Sequence, residues 1–300
     1  MTPLSVIVVS WNAREFLRSC LDSLFRYPPR AGFEVIVVDN SSNDGSQEMV
    51  RREFPAVQLL ENPANLGFAA AGNRGAAAVA GRYLLFLNSD ARIHAGTLDG
   101  ALAFMKRHPR TGVMGCRTLN SDGSPQGTAL GFPSPLRIFA NVSGLSGVLR
   151  ASRFRRHGRR RRSDYIQGSF LIIRRDVFDR CHGFDERFFL YGEDADLCLR
   201  VREAGLTIEY EPAVTITHHG GGSSARDACR LVHFIPGCLT LYGKHRGPLG
   251  KKRLALFIRL ALAVRLLAGL LASPSGFRER RRETKDLLVL LAAAGSEGCR

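Results

Sequence analysis

The side chains in this chain with catalytic or metal-binding chemistry stand at a few defined places. Asp39 closes the apolar run VIVVD, and Asp90 follows a second run as the last residue of LLFLNSD. Glu193 and Asp194 open a segment of helical pattern, while His218 and His219 precede Gly220, Gly221 and Gly222. A carboxylate at the end of a buried strand can grip a divalent cation, which neutralises charge on a departing phosphate as a Lewis acid. A carboxylate at a helix start projects toward the crevice beside a sheet, where a general base contributes about 10²- to 10⁴-fold in rate. The same position suits a plain helix cap, worth roughly 0.5 to 2 kcal/mol. The two histidines read as imidazole ligands or as solvated turn residues.

These groups need a frame, and the apolar pattern supplies one. Leu4 to Val9, Val35 to Val38 and Leu84 to Leu87 are short runs without alternation, as expected of strands buried on both faces of a parallel sheet. Between them Phe16, Leu17, Cys20, Leu21 and Leu24, and then Met49, Val50 and Phe54, recur at helical spacing. The order βαβαβ predicts a doubly wound α/β sheet. Such sheets bind ligands at the carboxyl ends of their strands. Here those ends carry Ser10-Trp11-Asn12, Asp39-Asn40-Ser41-Ser42 and Asn88-Ser89-Asp90. Further on, Leu119 to Pro135 reads as loop, Ser169 to Arg174 as a strand, and Thr207 to Thr217 as a strand pair broken at Pro212. Leu197, Val201 and Ala204 mark one face of the helix that Glu193 opens.

Composition and missing motifs remove several classes. The first strand runs into SWNAREF rather than a G-x-G-x-x-G turn, and no Walker A sequence occurs, which argues against a dinucleotide-dependent oxidoreductase. His219-Gly220-Gly221-Gly222 looks like an oxyanion-hole string, but no G-x-S-x-G nucleophile turn accompanies it. Seven cysteines form no CxxC pair, and their odd number argues against a disulfide framework, so a reducing cytosol is expected. The apolar run at Leu4 to Val9 is too short and wrongly flanked for a signal peptide. A net charge of +16, concentrated in Arg150 to Arg162 and the last fifty residues, predicts contact with polyanions. No aromatic platform interleaves the arginine run, so nucleic acid is not the expected partner.

Four segments, SVIVVSWNAREFLRSCLDSL, VVDNSSNDGS, ENPANLGFAAAGNRG and LLFLNSDA, resemble in order and spacing the N-terminal half of family 2 glycosyltransferases. A second block, QGSFLIIRRDVFDRCHGFDERFFLYGEDADLCLRVREAG followed by THHGGGSS, is similar to the acceptor half of that family, in the rhamnosyltransferase-like branch that builds bacterial surface polysaccharides. The resemblance spans about Leu4 to Ser224 and implies a GT-A fold, a nucleoside-diphosphate sugar donor such as dTDP-rhamnose or a UDP-sugar, and inverting transfer to an acceptor hydroxyl. It makes Asp90 a ligand of Mn²⁺ or Mg²⁺, although Asn88-Ser89-Asp90 replaces the usual Asp-x-Asp. Asn88 would then bind through its carbonyl oxygen or hydrogen-bond the ribose, with Ser89 beside it. His218 is implied as the second metal ligand, with His219 its rival. Asp194 is implied as the base, and Glu193 as a contact for the acceptor or its loop. Nucleotide binding falls to Asp39, whose carboxylate suits the N3–H of uracil or thymine, with Ser10, Asn12 and the turn Asn65-Leu66-Gly67. Gly67 and Gly72 would let backbone approach phosphates, and Asn73 and Arg74 would reach the diphosphate or ribose. The alternatives are a nucleic-acid-binding protein or a catalytically silent nucleotide-sugar binder.

The expected organisation is a catalytic domain over residues 1–225, with a nucleotide-binding half at 1–118 and an acceptor half at 119–225, then a basic, apolar helical tail over 226–300. In that tail Leu254 to Ala272 carries Arg259 and Arg265, each costing about 2.5 to 3.5 kcal/mol at mid-bilayer. An interfacial helix costs less, with Lys251, Lys252, Arg253 and Arg278 to Arg282 among anionic headgroups. The expectation is therefore a cytoplasmic protein, peripheral on the inner face of the plasma membrane, acting on a lipid-linked glycan.

Overall fold

The computed structural model describes residues 2–145, 158–220 and 227–272. Most of the arginine run, the last part of the glycine-serine string after Gly220, and Arg278 to Arg282 lie outside the described residues. Two compact units emerge. The first takes in Met1–Phe132, Arg156–Phe189 and Glu193–Ser223; the second takes in Pro133–Arg155, Leu190–Gly192 and Ser224–Arg300.

The first unit is built on strands β1 (Leu4–Ser10), β2 (Glu34–Asp39), β3 (Gln58–Glu61), β4 (Tyr83–Asn88), β5 (Ala91–Ile93), β6 (Thr111–Leu119), β11 (Phe170–Arg174) and β12 (Thr207–His218). They lie in the order β3-β2-β1-β4-β11-β6-β12-β5. The short pieces β7 (Pro125–Gln126) and β9 (Arg161–Arg162) attach to β6 and β12, and β8 (Ala129–Leu130) pairs with β10 (Tyr165–Ile166). β1, β2, β3 and β4 are parallel, as are β6 and β12, while β11 runs antiparallel between the two groups.

Alternate residues of the central strands feed two cores, which is why the runs show no polar face. Val6, Val8, Val35, Val37, Leu85 and Leu87 face helices α1 (Arg14–Arg26), α2 (Ser46–Glu53) and α4 (Thr97–Arg107). Ile7, Ile36, Val38, Leu84 and Phe86 face α3 (Gly67–Ala77), α6 (Arg175–Arg180) and α7 (Glu193–Glu203). Helix α3 sits close to the sheet, because a Cβ on Gly75 would lie 2.7 Å from Ile7 and 2.9 Å from Val38.

Two sequence expectations change here. Thr207 to Thr217 is one strand, whose ladder to β6 slips register between Glu211 and Thr215, so Pro212 makes a bulge rather than a break. The segment from Leu119 to Pro135 carries the paired pieces β7 and β8 instead of remaining loop throughout. In the second unit, α5 (Pro135–Ser143) packs on the long α8 (Asp227–Ala272), which is interrupted at Gly247, where φ is 70°. Tyr242 of α8 donates its hydroxyl to the Pro133 carbonyl at 2.7 Å.

Candidate active site

Strand register brings the polar strand ends to one rim. Ser10 pairs with Asp39 across β1 and β2, and Val9 pairs with Asn88 across β1 and β4. The loops leaving β1 and β2 turn sharply, with Asn12 at φ 49° and Ser41 at φ 64°. They are tied together, since the Asn12 backbone N–H donates to Ser42 Oγ at 2.9 Å and the Asn12 side-chain oxygen accepts from Asn43 at 2.9 Å. That oxygen of Asn12 therefore shapes the loop.

Asp39 is completely buried. Its Oδ1 accepts from the Ser42 backbone at 2.9 Å and from Gln47 Nε2 at 2.6 Å, whereas its Oδ2 and the nearby Ser10 Oγ are buried without a hydrogen-bond partner. Orphaned buried oxygens are rare in folded proteins and call for an explanation. A ligand N–H arriving at this rim would supply one for Asp39.

A polar ladder continues from there. The Asn62 amide donates to Asn40 Oδ1 at 2.6 Å, the Asn40 amide donates to the Gly67 carbonyl at 3.2 Å, and Arg74 hydrogen-bonds Asn62. Asn65 Oδ1 accepts from the Gly67 N–H at 3.0 Å and shapes the start of α3. Gly67, at φ 79°, is required for packing: a Cβ there would stand 2.3 Å from the Phe189 carbonyl oxygen, which already accepts from the Phe68 N–H. Gly72 likewise faces the Phe184 ring, 3.2 Å from where its Cβ would be. The space beside both glycines on the Cβ side is filled by the 184–189 segment. Asn73 belongs to the same seam, donating to the Phe184 carbonyl and to Glu186, both at 2.9 Å, and accepting from the Phe184 N–H at 2.8 Å. The structure thus gives Asn73 and Arg74 protein partners.

Asp90 meets His218 at the other end of the rim. Strand β5 follows Asp90 directly and pairs with the end of β12, with Ala91 opposite His218. His218 Nε2 lies 3.0 Å from Asp90 Oδ1 and 3.2 Å from the Asn88 amide nitrogen. Its other nitrogen, Nδ1, is 2.9 Å from Gln126 Oε1. Gln126 is oriented by its own amide nitrogen, which donates to Asn120 Oδ1 at 2.6 Å and to the His218 carbonyl at 2.7 Å. Nδ1, facing a carbonyl oxygen, therefore carries a hydrogen, and Nε2 is the ring nitrogen turned toward the Asp90 carboxylate and the Asn88 amide.

A carboxylate oxygen and an imidazole nitrogen side by side are ligand types that a divalent first-row cation accepts, so the donor set fits such a cation once Nε2 is free of its hydrogen. The outer hydrogen bond to Gln126 is the kind that orients metal-binding histidines. Among the described residues no cluster of three or more metal-ligating acids, histidines or cysteines occurs, so a cation beside Asp90 and His218 would need ligand oxygens to complete its shell. His219 is turned elsewhere, with Nδ1 2.8 Å from Ser121 Oγ and its ring 5.6 Å from that of Phe16. A cavity of about 620 Å³, lined in part by Arg26, Arg92, His94 and His219, borders this end of the rim between α1 and β5. Asp194 and Glu193 are not in its walls.

The two acids at the start of α7 are both buried. Asp194 accepts from the Ala195 N–H at 2.7 Å through Oδ1 and from the Gly168 N–H at 3.3 Å through Oδ2. The next residue, Ser169, accepts the Asn88 N–H on its carbonyl at 3.3 Å. The Gly168-Ser169 step therefore joins the acid pair to the Asn88 end of β4, and Asn88 in turn meets His218. Glu193 Oε2 and Ser169 Oγ are buried without a hydrogen-bond partner.

Burial raises the pKa of both acids. For Glu193 the neighbouring Asp194 charge adds to that rise, whereas backbone N–H groups from Ala195 and Gly168 partly offset it for Asp194. The pair therefore holds a proton above the ordinary carboxylate range, while the backbone N–H groups of Ala195 and Gly168 favour the ionised form at Asp194. Ser89, partly exposed between Asn88 and Asp90, completes the rim. Sequence reasoning assigned no role to Gln126, Gln47 or Gly168. Gln126 lies in the two-residue strand β7 and Gln47 in α2, neither with a local signal, and Gly168 lies within the string Gln167-Gly168-Ser169.

Comparison with known proteins supplies the family. A family model described as "Glycosyl transferase family 2" matches residues 5–181, and one described as "N-terminal domain of galactosyltransferase" matches residues 150–219. The chain is 31% identical to an N-acetylglucosaminyl-diphospho-decaprenol L-rhamnosyltransferase of Mycobacterium tuberculosis, over 94% of this chain and 97% of that protein. The fold resembles a solved mannosyltransferase from Pyrobaculum calidifontis in complex with GDP-Man and Mn²⁺. That match has a TM-score of 0.60 and 19% identity, and covers 97% of this chain and 86% of the other. It also resembles GalNAc-T7 solved with UDP, GalNAc and Mn²⁺, with a TM-score of 0.55 and 18% identity over 72% of this chain and 43% of that one. These neighbours share the GT-A architecture.

Proposed function

Because this chain belongs to glycosyl transferase family 2, we propose that it moves a sugar from a nucleoside-diphosphate donor to a hydroxyl of a lipid-linked glycan, with inversion and with Asp194 as the base. The observation that carries this reading is the convergence on one sheet rim of the Asp90–His218 pair and the buried Asp194–Glu193 pair, bridged by Asn88 and Gly168-Ser169. dTDP-rhamnose is the first donor to test, since the mycobacterial relative is named a rhamnosyltransferase, and UDP-sugars come next. That relative's name specifies a diphospho-decaprenol acceptor, which supports a lipid-linked acceptor, and the reading places the reaction at the inner face of the plasma membrane.

At the nucleotide end, Asp39 Oδ2 accepts the N3–H of a pyrimidine base, and Ser10 Oγ adds a second contact. Asp90 and His218 would hold Mn²⁺ or Mg²⁺, which when bound supplies charge neutralisation on the departing diphosphate. Asp194 takes the proton of the acceptor hydroxyl as its oxygen attacks the anomeric carbon. The raised pKa brings this carboxylate closer to neutrality, where proton transfer to it is more favourable. Glu193, protonated beside it, directs a hydrogen bond to the acceptor or to Asp194 and keeps a second negative charge out of the pocket.

Thermal-shift titration with dTDP, UDP, GDP and their sugars, with and without Mn²⁺, tests the donor half. Metal-dependent stabilisation by a pyrimidine diphosphate is expected, and a response to none of these nucleotides would overturn it. Radiolabelled transfer to a polyprenyl-diphosphate-linked sugar tests the acceptor half. Donor hydrolysis without transfer would remove the acceptor assignment, and donor binding without either would favour a silent nucleotide-sugar binder.

A further inference from the structure

The part of α8 beyond Gly247 is apolar on two opposite faces. Leu254, Ile258, Ala261 and Leu262 are buried. On the other side Leu249, Leu256, Leu260 and Leu267 stand in solvent, with exposures of 59%, 66%, 57% and 59%. At 100° per residue these four fall within about 40° of one another, forming a straight stripe roughly 27 Å long at 1.5 Å per residue. Phe257 is exposed beside it, and Lys252, Arg253 and Arg259 flank it, all three exposed. A stripe of large exposed leucines of this length marks an interaction surface.

Charge selects the occupant. Residues 228–272 contain no Asp or Glu, while Lys and Arg recur throughout. A second copy of this chain would bring the same positive charge against itself. Spanning is ruled out for the described residues, because no helix among them is long and apolar enough to cross a membrane. An anionic bilayer surface answers both features: leucines enter the acyl boundary and flanking cations reach the headgroups.

We propose that the Leu249–Leu256–Leu260–Leu267 stripe of α8, with Lys252, Arg253 and Arg259, lies flat on an anionic lipid surface. The inference rests on the lipid-linked acceptor reading for its purpose, since it would hold the enzyme where such an acceptor is found.

The test is co-sedimentation of the full chain with vesicles of phosphatidylcholine, alone or mixed with phosphatidylglycerol, followed across salt. Binding to the mixed vesicles that weakens with salt is expected. L256E/L260E should lose on the order of 100-fold in vesicle partition, as two leucines leave an apolar phase. K252Q/R253Q/R259Q should lose a similar factor on mixed vesicles and little on neutral ones.

Full-strength vesicle binding by L256E/L260E, or no binding by the parent chain, overturns the proposal. So does a large fall in Tm for that variant, which would place the stripe in the protein interior. A dimer without vesicles that the variant abolishes would assign the stripe to a second copy instead. Nucleotide thermal shifts on the same samples report separately on the transfer reading, so either can fail without the other.

Discussion

Replacing Asp194 by Asn keeps the size of the side chain and one of its two oxygens while removing its charge. Oδ1 can still accept the Ala195 N–H, now at 2.7 Å, but the new NH₂ faces the Gly168 N–H that Oδ2 accepts at 3.3 Å. One backbone donor left without its acceptor costs about 1 to 3 kcal/mol, and relief from burying a charge offsets part of that. Folding should therefore survive with a modest loss. Catalysis should not: losing the base removes about 10²- to 10⁴-fold from kcat, equivalent to roughly 3 to 5.5 kcal/mol of transition-state stabilisation.

The pair also predicts a pH signature. Both carboxyls have raised pKa values in the folded state, so above the ordinary carboxylate range the folded chain holds protons that the unfolded chain has released. Stability from these groups falls as pH rises from the unfolded values through the raised folded ones. D194N also removes the charge that adds to the Glu193 rise, so its decline with pH should be shallower. The wild-type acidic limb of kcat should lie above that of an ordinary carboxylate, because Asp194 must be ionised to act.

Radiolabelled transfer at saturating donor and acceptor measures kcat, nucleotide thermal shift checks that donor binding persists, and Tm across pH reads the linkage. A D194N enzyme retaining more than about a tenth of wild-type kcat would refute the base assignment. An unchanged Tm-versus-pH slope would refute the coupling.

Other substitutions separate binding from structure. D39N changes the buried oxygen that lacks a partner and should weaken pyrimidine diphosphate binding by about 10- to 100-fold, read by calorimetry, with little change for a purine diphosphate. Q126L removes the acceptor that fixes the His218 tautomer and should weaken Mn²⁺ binding about 10- to 100-fold, followed by electron paramagnetic resonance of free Mn²⁺ in the presence of nucleotide. N73A deletes three hydrogen bonds to the 184–186 segment and should destabilise the fold by about 1 to 3 kcal/mol in urea, with donor affinity nearly unchanged. A selective loss of donor affinity in N73A would return that residue to the nucleotide site.

Much of this protein follows from local pattern. Apolar runs without alternation at Leu4, Val35 and Leu84 specify two-sided burial, because each alternate residue must meet a helix layer, and the strands form there. Polar residues directly after such runs must lie at the rim, which is why Asp39 and Asp90 could be picked out from one chain.

What only the tertiary structure decided depends on strand order and on contacts far apart in sequence. Gln126 reaches His218 across 92 residues, and Asn73 reaches Phe184 across 111. Gly67 and Gly72 carry no sign that a carbonyl and an aromatic ring fill the space beside them. The antiparallel β11, inserted between β4 and β6, sets Ser169 against Asn88 and so brings Asp194 toward the Asp90 end of the sheet. Local propensity places each group at the end of its own element; only pairing between distant strands makes those ends neighbours, since hydrogen bonds between distant residues form only after the chain has closed around them.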